Sequence, residues 1–184
     1  METSVDLDFR KLRDKDIIKF CIAFSYTSST NSSISLSNNN FGDKGANALV
    51  ELMFMVRIKS LILSSNHIGD TGIIALAKAL ESDKTALEEL NISFNEFGND
   101  GAFALANALK VNKTLKTLSL GGNKIGICGI SQLKNALKDN YTLCYFDYLL
   151  KHDDTISKDD FSSILDDLEI IKSYVARNRH LQKL

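Results

Sequence analysis

Apolar residues along the middle of this chain follow two periods in alternation. Leu90 and Ile92 are spaced by two, Leu87 stands three residues before them, and the intervening Glu89, Asn91 and Ser93 are polar. That spacing predicts a short strand with one face buried and the other exposed. From Gly101 onward Ala102, Leu105, Ala106 and Leu109 recur at intervals of three and four, which predicts an amphipathic helix. The same pair of elements is repeated around Ile34 and Leu36, Leu61 and Leu63, and Leu118 and Leu120. An asparagine follows each strand, at 39, 66, 95 and 123, in steps of 27, 29 and 28 residues. A unit this small cannot bury its apolar side alone, so the fixed period predicts a solenoid in which each copy covers the next.

The recurring residues have separate physical roles. Asn39, Asn66, Asn95 and Asn123 stand where the backbone leaves the strand and ladder bonding stops. An amide side chain both donates and accepts, so these four are expected to form a structural ladder that satisfies buried turn groups from copy to copy. Alanines on the helices, such as Ala77, Ala79, Ala106 and Ala108, are expected to let helix axes approach the sheet closely.

At the two ends the pattern weakens. Shifting the first clear unit back by 29 residues puts Val5 under Ile34, Leu7 under Leu36, Asp14 under Asp43 and Phe20 under Leu49. A degenerate sixth unit is therefore expected to begin the chain. Its segment 16–24 reads as a helix with Ile17, Phe20, Cys21 and Phe24 on one face, or as a strand alternating Ile18, Phe20, Ile22 and Phe24; the register favours the helix. The polar run Ser25 to Ser33 suits an exposed loop. After Leu143 a strand survives, but Lys151 replaces the ladder asparagine. Ser157 then offers an N-cap with Asp159 and Asp160 in the first turn. Phe161, Ile164, Leu165, Leu168, Ile171 and Val175 follow at helical spacing, as expected of a capping helix. The organisation read here is a single domain, 1–184: a degenerate repeat or cap over 1–32, four clear repeats over 33–142, and a decayed repeat with its capping helix over 143–184.

The pattern LxxLxLxxNxIGxxGxxALAxAL, written between Ile34 and Leu143, resembles the ribonuclease-inhibitor-like class of leucine-rich repeats. The resemblance implies an α/β leucine-rich repeat solenoid, a right-handed β-α superhelix or horseshoe, with a parallel β-sheet on its concave face and helices on its convex face. It implies further that the recurring leucines, asparagines and glycines are scaffold. The segment Ile170 to Arg179 is similar to the closing segment of repeat proteins of intracellular bacteria, several of which act as effectors in a host cell. Ribonuclease inhibitors and GTPase-activating proteins are built on the same repeat, and some relatives carry a ubiquitin-ligase domain. Regulation of an enzyme, or service as a targeting arm, are the alternatives this implies.

Composition narrows the chemistry. A net charge of −1, from 22 basic and 23 acidic residues, gives no overall field to recruit nucleic acid or an anionic membrane. No apolar run approaches the roughly 20 residues of a membrane span. The opening segment, with Glu2, Asp6 and Asp8, is acidic where a secretory signal is basic. The expected location is the cytoplasm, or a host cell if the chain is translocated. Cys21, Cys128 and Cys144 are odd in number, lack metal-type spacing and fall at positions expected to face the core or the turns between repeats, so no disulfide, metal or cofactor is expected.

No catalytic residue emerges. His67, His152 and His180 have no nucleophile placed beside them by a recognisable motif. The pairs Asp153-Asp154, Asp159-Asp160 and Asp166-Asp167 lack the alternation and central glycine of a calcium loop. Gly121-Gly122 lacks the rest of a phosphate loop and reads as a tight turn. What remains is the outward-pointing strand face, a non-enzymatic surface for another protein. Its first half is rich in serine (Ser33, Ser35, Ser60), and a more distinctive patch lies toward the C-terminal end. The expected partner-binding residues are Glu89, Asn91, Phe94, Thr117, Ser119, Tyr145 and Asp147, with Leu149 beside them, because aromatic anchors in a polar rim concentrate binding energy; the alternative is that Phe94 packs under the adjacent loop and Leu149 under the capping helix.

Overall fold

The two periods become strands and helices in the computed structural model, which describes residues 4–27, 32–149 and 157–183. The strands among these residues are β1 (Ser4–Asp6), β2 (Ser32–Ser35), β3 (Ile58–Ile62), β4 (Glu89–Asn91), β5 (Thr117–Ser119) and β6 (Tyr145–Asp147). They alternate with α1 (Asp14–Ser25), α2 (Asp43–Met55), α3 (Asp70–Leu80), α4 (Asn99–Val111), α5 (Ile127–Leu137) and α6 (Lys158–Leu181). The strands form one parallel sheet in chain order, and each helix packs against the next. Val5, Ile34, Leu61, Leu90, Leu118 and Phe146 lie side by side across the sheet, the register that the repeat period gives. Segment 16–24 is helical, burying Ile17, Cys21 and Phe24 and half-burying Phe20, so the strand alternative does not hold. The readings of Lys151, His152, Asp153 and Asp154 fall outside the described residues, as do 28–31 of the polar run.

Between the helices and the sheet lies a continuous core in which Ile34, Leu61, Leu90 and Leu118 are fully buried. Burying each such side chain stabilises the fold by about 1.5–3 kcal/mol. Ala77, Ala79, Ala106 and Ala108 lie at helix contacts with 1 % exposure or less. A longer side chain there would push the helices off the sheet.

Three hydrogen-bond systems tie the repeats together. Asn95 Nδ2 donates to the carbonyls of Leu63, Ile92 and Ser93, Asn95 Oδ1 accepts from the Ile68 amide, and the Asn95 amide donates to Asn123 Oδ1. Asn39 similarly accepts from Arg10 and Leu12 and donates to Leu7 and Leu36. Asn66 donates to Leu36 and Leu63, but its buried Oδ1 has no partner.

A second system lies at the opposite edge, where helices return to strands. Asn112 Nδ2 donates to Leu80 O and its Oδ1 accepts from the Thr114 and Leu115 amides; Asn140 does the same with Leu109 O, Thr142 and Leu143. The third system caps the helices across repeats. Asp43 Oδ1 accepts from the Gly69 and Gly72 amides at 2.8 and 2.9 Å, and Asp70 Oδ1 from Gly98 and Gly101 at 2.9 and 2.7 Å. Asp14 and Asn99 do likewise for the glycine pairs 42 and 45, and 126 and 129. Gly101 has to be bare, because a Cβ there would lie 2.9 Å from the Phe97 ring and 3.0 Å from Asp70 Oδ1. At the next equivalent position stands Ile127, an apolar residue, and the system ends.

The last repeat is closed by α6. Ser157 caps it, accepting from the Asp160 amide at 3.1 Å. Ile164, Leu168, Ile171 and Val175 are buried, but Phe161 and Leu165 are 45 % and 43 % exposed, against the expectation that all six face the core. The reason is helical phase: Phe161 and Leu165 lie to one side of the stripe formed by Ile164, Leu168, Ile171 and Val175, and Ile164, between them in the chain, is 1 % exposed. Arg177 seats the far end of the helix, donating to the Lys138 and Asn140 carbonyls. Asn178, fully buried, donates to Asn140 O and Leu143 O and so continues the second system from the cap.

The cysteines differ from one another. Cys21 is buried, Cys144 is half-buried, and Cys128 is exposed on α5, contrary to the expectation of a core or turn position for all three. Burial pushes the Cys21 thiol up to about 12 and raises that of Cys144. The thiolate is the reactive form, so Cys128 is expected to react with Ellman's reagent in the folded protein and Cys21 only after unfolding. Fast reaction of two thiols in the native state, with one of them mapped to Cys21, would contradict the packing of α1.

Candidate protein-binding face

The sheet face away from the helices carries two rows of partly exposed positions flanking the buried row. One is Ser4, Ser33, Ser60, Glu89, Thr117 and Tyr145; the other is Asp6, Ser35, Ile62, Asn91, Ser119 and Asp147. Parallel register puts equivalent positions side by side, so a partner lying across the strands meets one row at a time. Tyr145 is 51 % exposed and Asp147 is exposed. Glu89 and Asn91 are partly exposed and already bonded, Glu89 accepting from Ser60 Oγ at 2.7 Å and Asn91 Oδ1 from the Ser93 amide at 3.0 Å. Thr117 is partly exposed, but Ser119 keeps 8 % of its surface and offers little to a partner. Its short side chain lies between the longer Asn91 and Asp147 of the same row.

Beyond the first five strands the chain turns toward the helices through a left-handed residue: Phe9, Asn38, Ser65, Phe94 and Gly122, with φ from 54° to 75°. The amide of each donates to the following repeat, as Phe94 N does to Gly121 O at 2.7 Å. Asparagine and glycine accept this conformation readily, whereas a bulky side chain there costs roughly 1–2 kcal/mol. Phe94 nevertheless holds it while 52 % exposed. Its ring lies on Gly122, where a Cβ would come within 2.4 Å of Phe94 Cδ1. Gly121 is bare for a related reason, since Leu149 backbone N would lie 2.6 Å from a Cβ there.

Phe94 and Leu149, 58 % exposed, share a groove of about 340 Å³ with Asn66, His67, Asn95, Glu96 and Gly122. His67 Nδ1 lies 2.8 Å from Glu96 Oε1 and Lys124 Nζ lies 3.7 Å from Glu96 Oε2, and the histidine contact above all holds the Glu96 carboxyl below the usual carboxylate range. The structure thus joins Phe94 to Leu149 but separates both from the Tyr145 end of the strands. Tyr145 shares its row with Glu89 at the start of β4, whereas Phe94 stands five positions after Glu89, in the turn beyond the end of that strand at Asn91. Phe9 occupies the same left-handed position as Phe94 and is 72 % exposed. Sequence reasoning passed over Phe9, although the 29-residue shift places it under Asn38.

A leucine-rich repeat family model matches residues 32–50, 58–77, 84–106 and 111–130. Over these four stretches the solenoid is built of leucine-rich repeats. The array also matches solved structures: the C-terminal domain of tropomodulin from Caenorhabditis elegans, with a TM-score of 0.67 at 14 % identity over 90 % of this chain and 95 % of that one. The actin-binding site 2 of leiomodin-1 matches with a TM-score of 0.55 at 19 % identity, over 98 % of this chain and 82 % of that one. A search of curated proteins found no match. At such identities the likeness is one of fold, and the leucine-rich repeat supplies the scaffold on which residues such as Phe94 and Tyr145 are set.

Proposed function

We propose that the chain is a non-enzymatic, cytoplasmic protein-binding module that engages another protein on the open, concave side of its C-terminal repeats, between the Phe94–Leu149 rim and Tyr145. The observation that carries this reading is Phe94, a half-exposed aromatic held in a backbone conformation that disfavours it, with two glycines cleared beneath it and Leu149. Strain of this kind persists where the surrounding structure enforces it, and functional surfaces are where it collects. His67 is engaged with Glu96, and His180 is exposed on α6. Arg177 and Asn178, within the segment similar to bacterial effectors, seat α6 on α5, which gives them a structural reason independent of any host.

Replacing Phe94 and Tyr145 together by alanine is expected to leave the circular dichroism spectrum unchanged and to weaken the natural partner by about 2 kcal/mol or more. Replacing Ser35 and Ser119 is expected to cost much less. Equal losses from the two pairs, measured by calorimetry, would remove the aromatic residues from the site. Actin is the first partner to test by cosedimentation, because one structural neighbour is an actin-binding site.

A further inference from the structure

We propose a second interaction surface, on the edge of the solenoid where strands begin and helices end, that takes an acidic segment of another protein. The loops after α2, α3 and α4 bring Arg57, Lys84 and Lys113 to one groove of about 420 Å³, with Lys116 leading into β5. All four cations are exposed. Asp83 and Glu88 also line the groove, and Glu88 is already engaged, 2.7 Å from Lys116 and 3.5 Å from Lys59. Among the described residues Arg57, Lys84 and Lys113 have no ion-pair partner. The walls are firm: Thr85 Oγ1 donates to Ala79 O, and Thr114 is held by Asn112.

A net charge of −1 conceals this groove, because it is summed over the whole chain. The opposite edge, where the helices start, is mixed: Asp14, Asp43, Asp70 and Glu96 stand there beside Arg13, Lys15, Lys44 and Lys124. The basic side continues toward the C-terminus, where Lys116 and Arg179 both act on Cys144. Lysines within a last helical turn, such as Lys110, answer the helix dipole. Arg57, Lys84 and Lys113 lie beyond those turns and need another explanation. An occupant has to match a groove in which four cations are flanked by two carboxylates. An acidic peptide meets those conditions, whereas a duplex or a membrane calls for a broad surface of one sign. The proposal does not depend on the concave face.

The test uses the full chain and a fluorescein-labelled hexaglutamate peptide, read by anisotropy at low and at physiological salt. Binding is expected at low salt and should weaken as salt rises. The Lys84→Glu/Lys113→Glu variant should lose it by about tenfold or more, and Lys84→Gln/Lys113→Gln by less, with thermal melts unchanged. Lys44→Glu on the opposite edge, and Phe94→Ala/Tyr145→Ala on the concave face, should retain it. No binding of hexaglutamate, equal loss in Lys44→Glu, or tighter binding of an oligothymidylate or of phosphatidylserine vesicles would overturn the proposal.

Discussion

Ending the chain before Ser157 is expected to abolish cooperative folding of the C-terminal repeats. The cut removes Ile164, Leu168, Ile171 and Val175 from the open end of the last repeat. At about 1.5–3 kcal/mol for each buried apolar side chain, the loss approaches the 5–15 kcal/mol that stabilises a typical domain. It also strips Arg177 and Asn178 from the carbonyls of Lys138, Asn140 and Leu143, leaving the buried ones unpaired. Sedimentation and thermal melting should therefore show aggregation or an early transition. A soluble monomer that melts with the parent would mean that α6 is an appendage.

The second large effect is expected at Asp70. Alanine there orphans the Gly98 and Gly101 amides at the start of α4, in the middle of the stack. Hydrogen bonds to a charged acceptor are worth about 1.5–3 kcal/mol each, so a loss of about 3–6 kcal/mol by urea denaturation is predicted for the two. Asp70→Asn should be far milder, since Asn99 Oδ1 caps the next helix in the same way at 3.0 Å to both glycine amides. Asp100→Ala provides the contrast. Asp100 is exposed in the same first turn and contributes through the helix dipole, about 0.3–1 kcal/mol. If Asp70→Ala and Asp100→Ala cost the same, capping across repeats is not what fixes the helix starts.

How much of this could be read beforehand depended on whether a residue's partner lies at its own repeat position. The pairing of Val5 with Ile34 followed from the repeat period, because parallel strands in a stack pair equivalent positions. Asp70 was harder. An acid in the first turn of a helix reads as a dipole residue, and its true partners, Gly98 and Gly101, stand about one repeat later. Asn112 and Asn140 were visible only as members of polar runs, although the Asn-x-Thr-Leu sequence at both recurs as faithfully as the strand asparagines.

At the candidate site the sequence placed Phe94 and Tyr145 on one patch. Their strand positions already put them at opposite ends, and the structure groups Phe94 with Leu149 instead. The left-handed backbone of Phe94 had no signal in the residue itself, only in Asn38 and Gly122 at the equivalent places. Net charge hid the basic groove because it is summed over the whole chain, while Arg57, Lys84, Lys113 and Lys116 come from three repeats that only the fold brings together.

The most direct measurement of the central claim is site-specific photocrosslinking. A benzophenone side chain would be placed at position 94 or 145 on the sheet side, or at position 103 on the outer side of α4, where Phe103 is 36 % exposed. The protein-binding account predicts one and the same crosslinked protein from positions 94 and 145 and none from 103. Capture of that protein from 103, with none from 94 and 145, would contradict it.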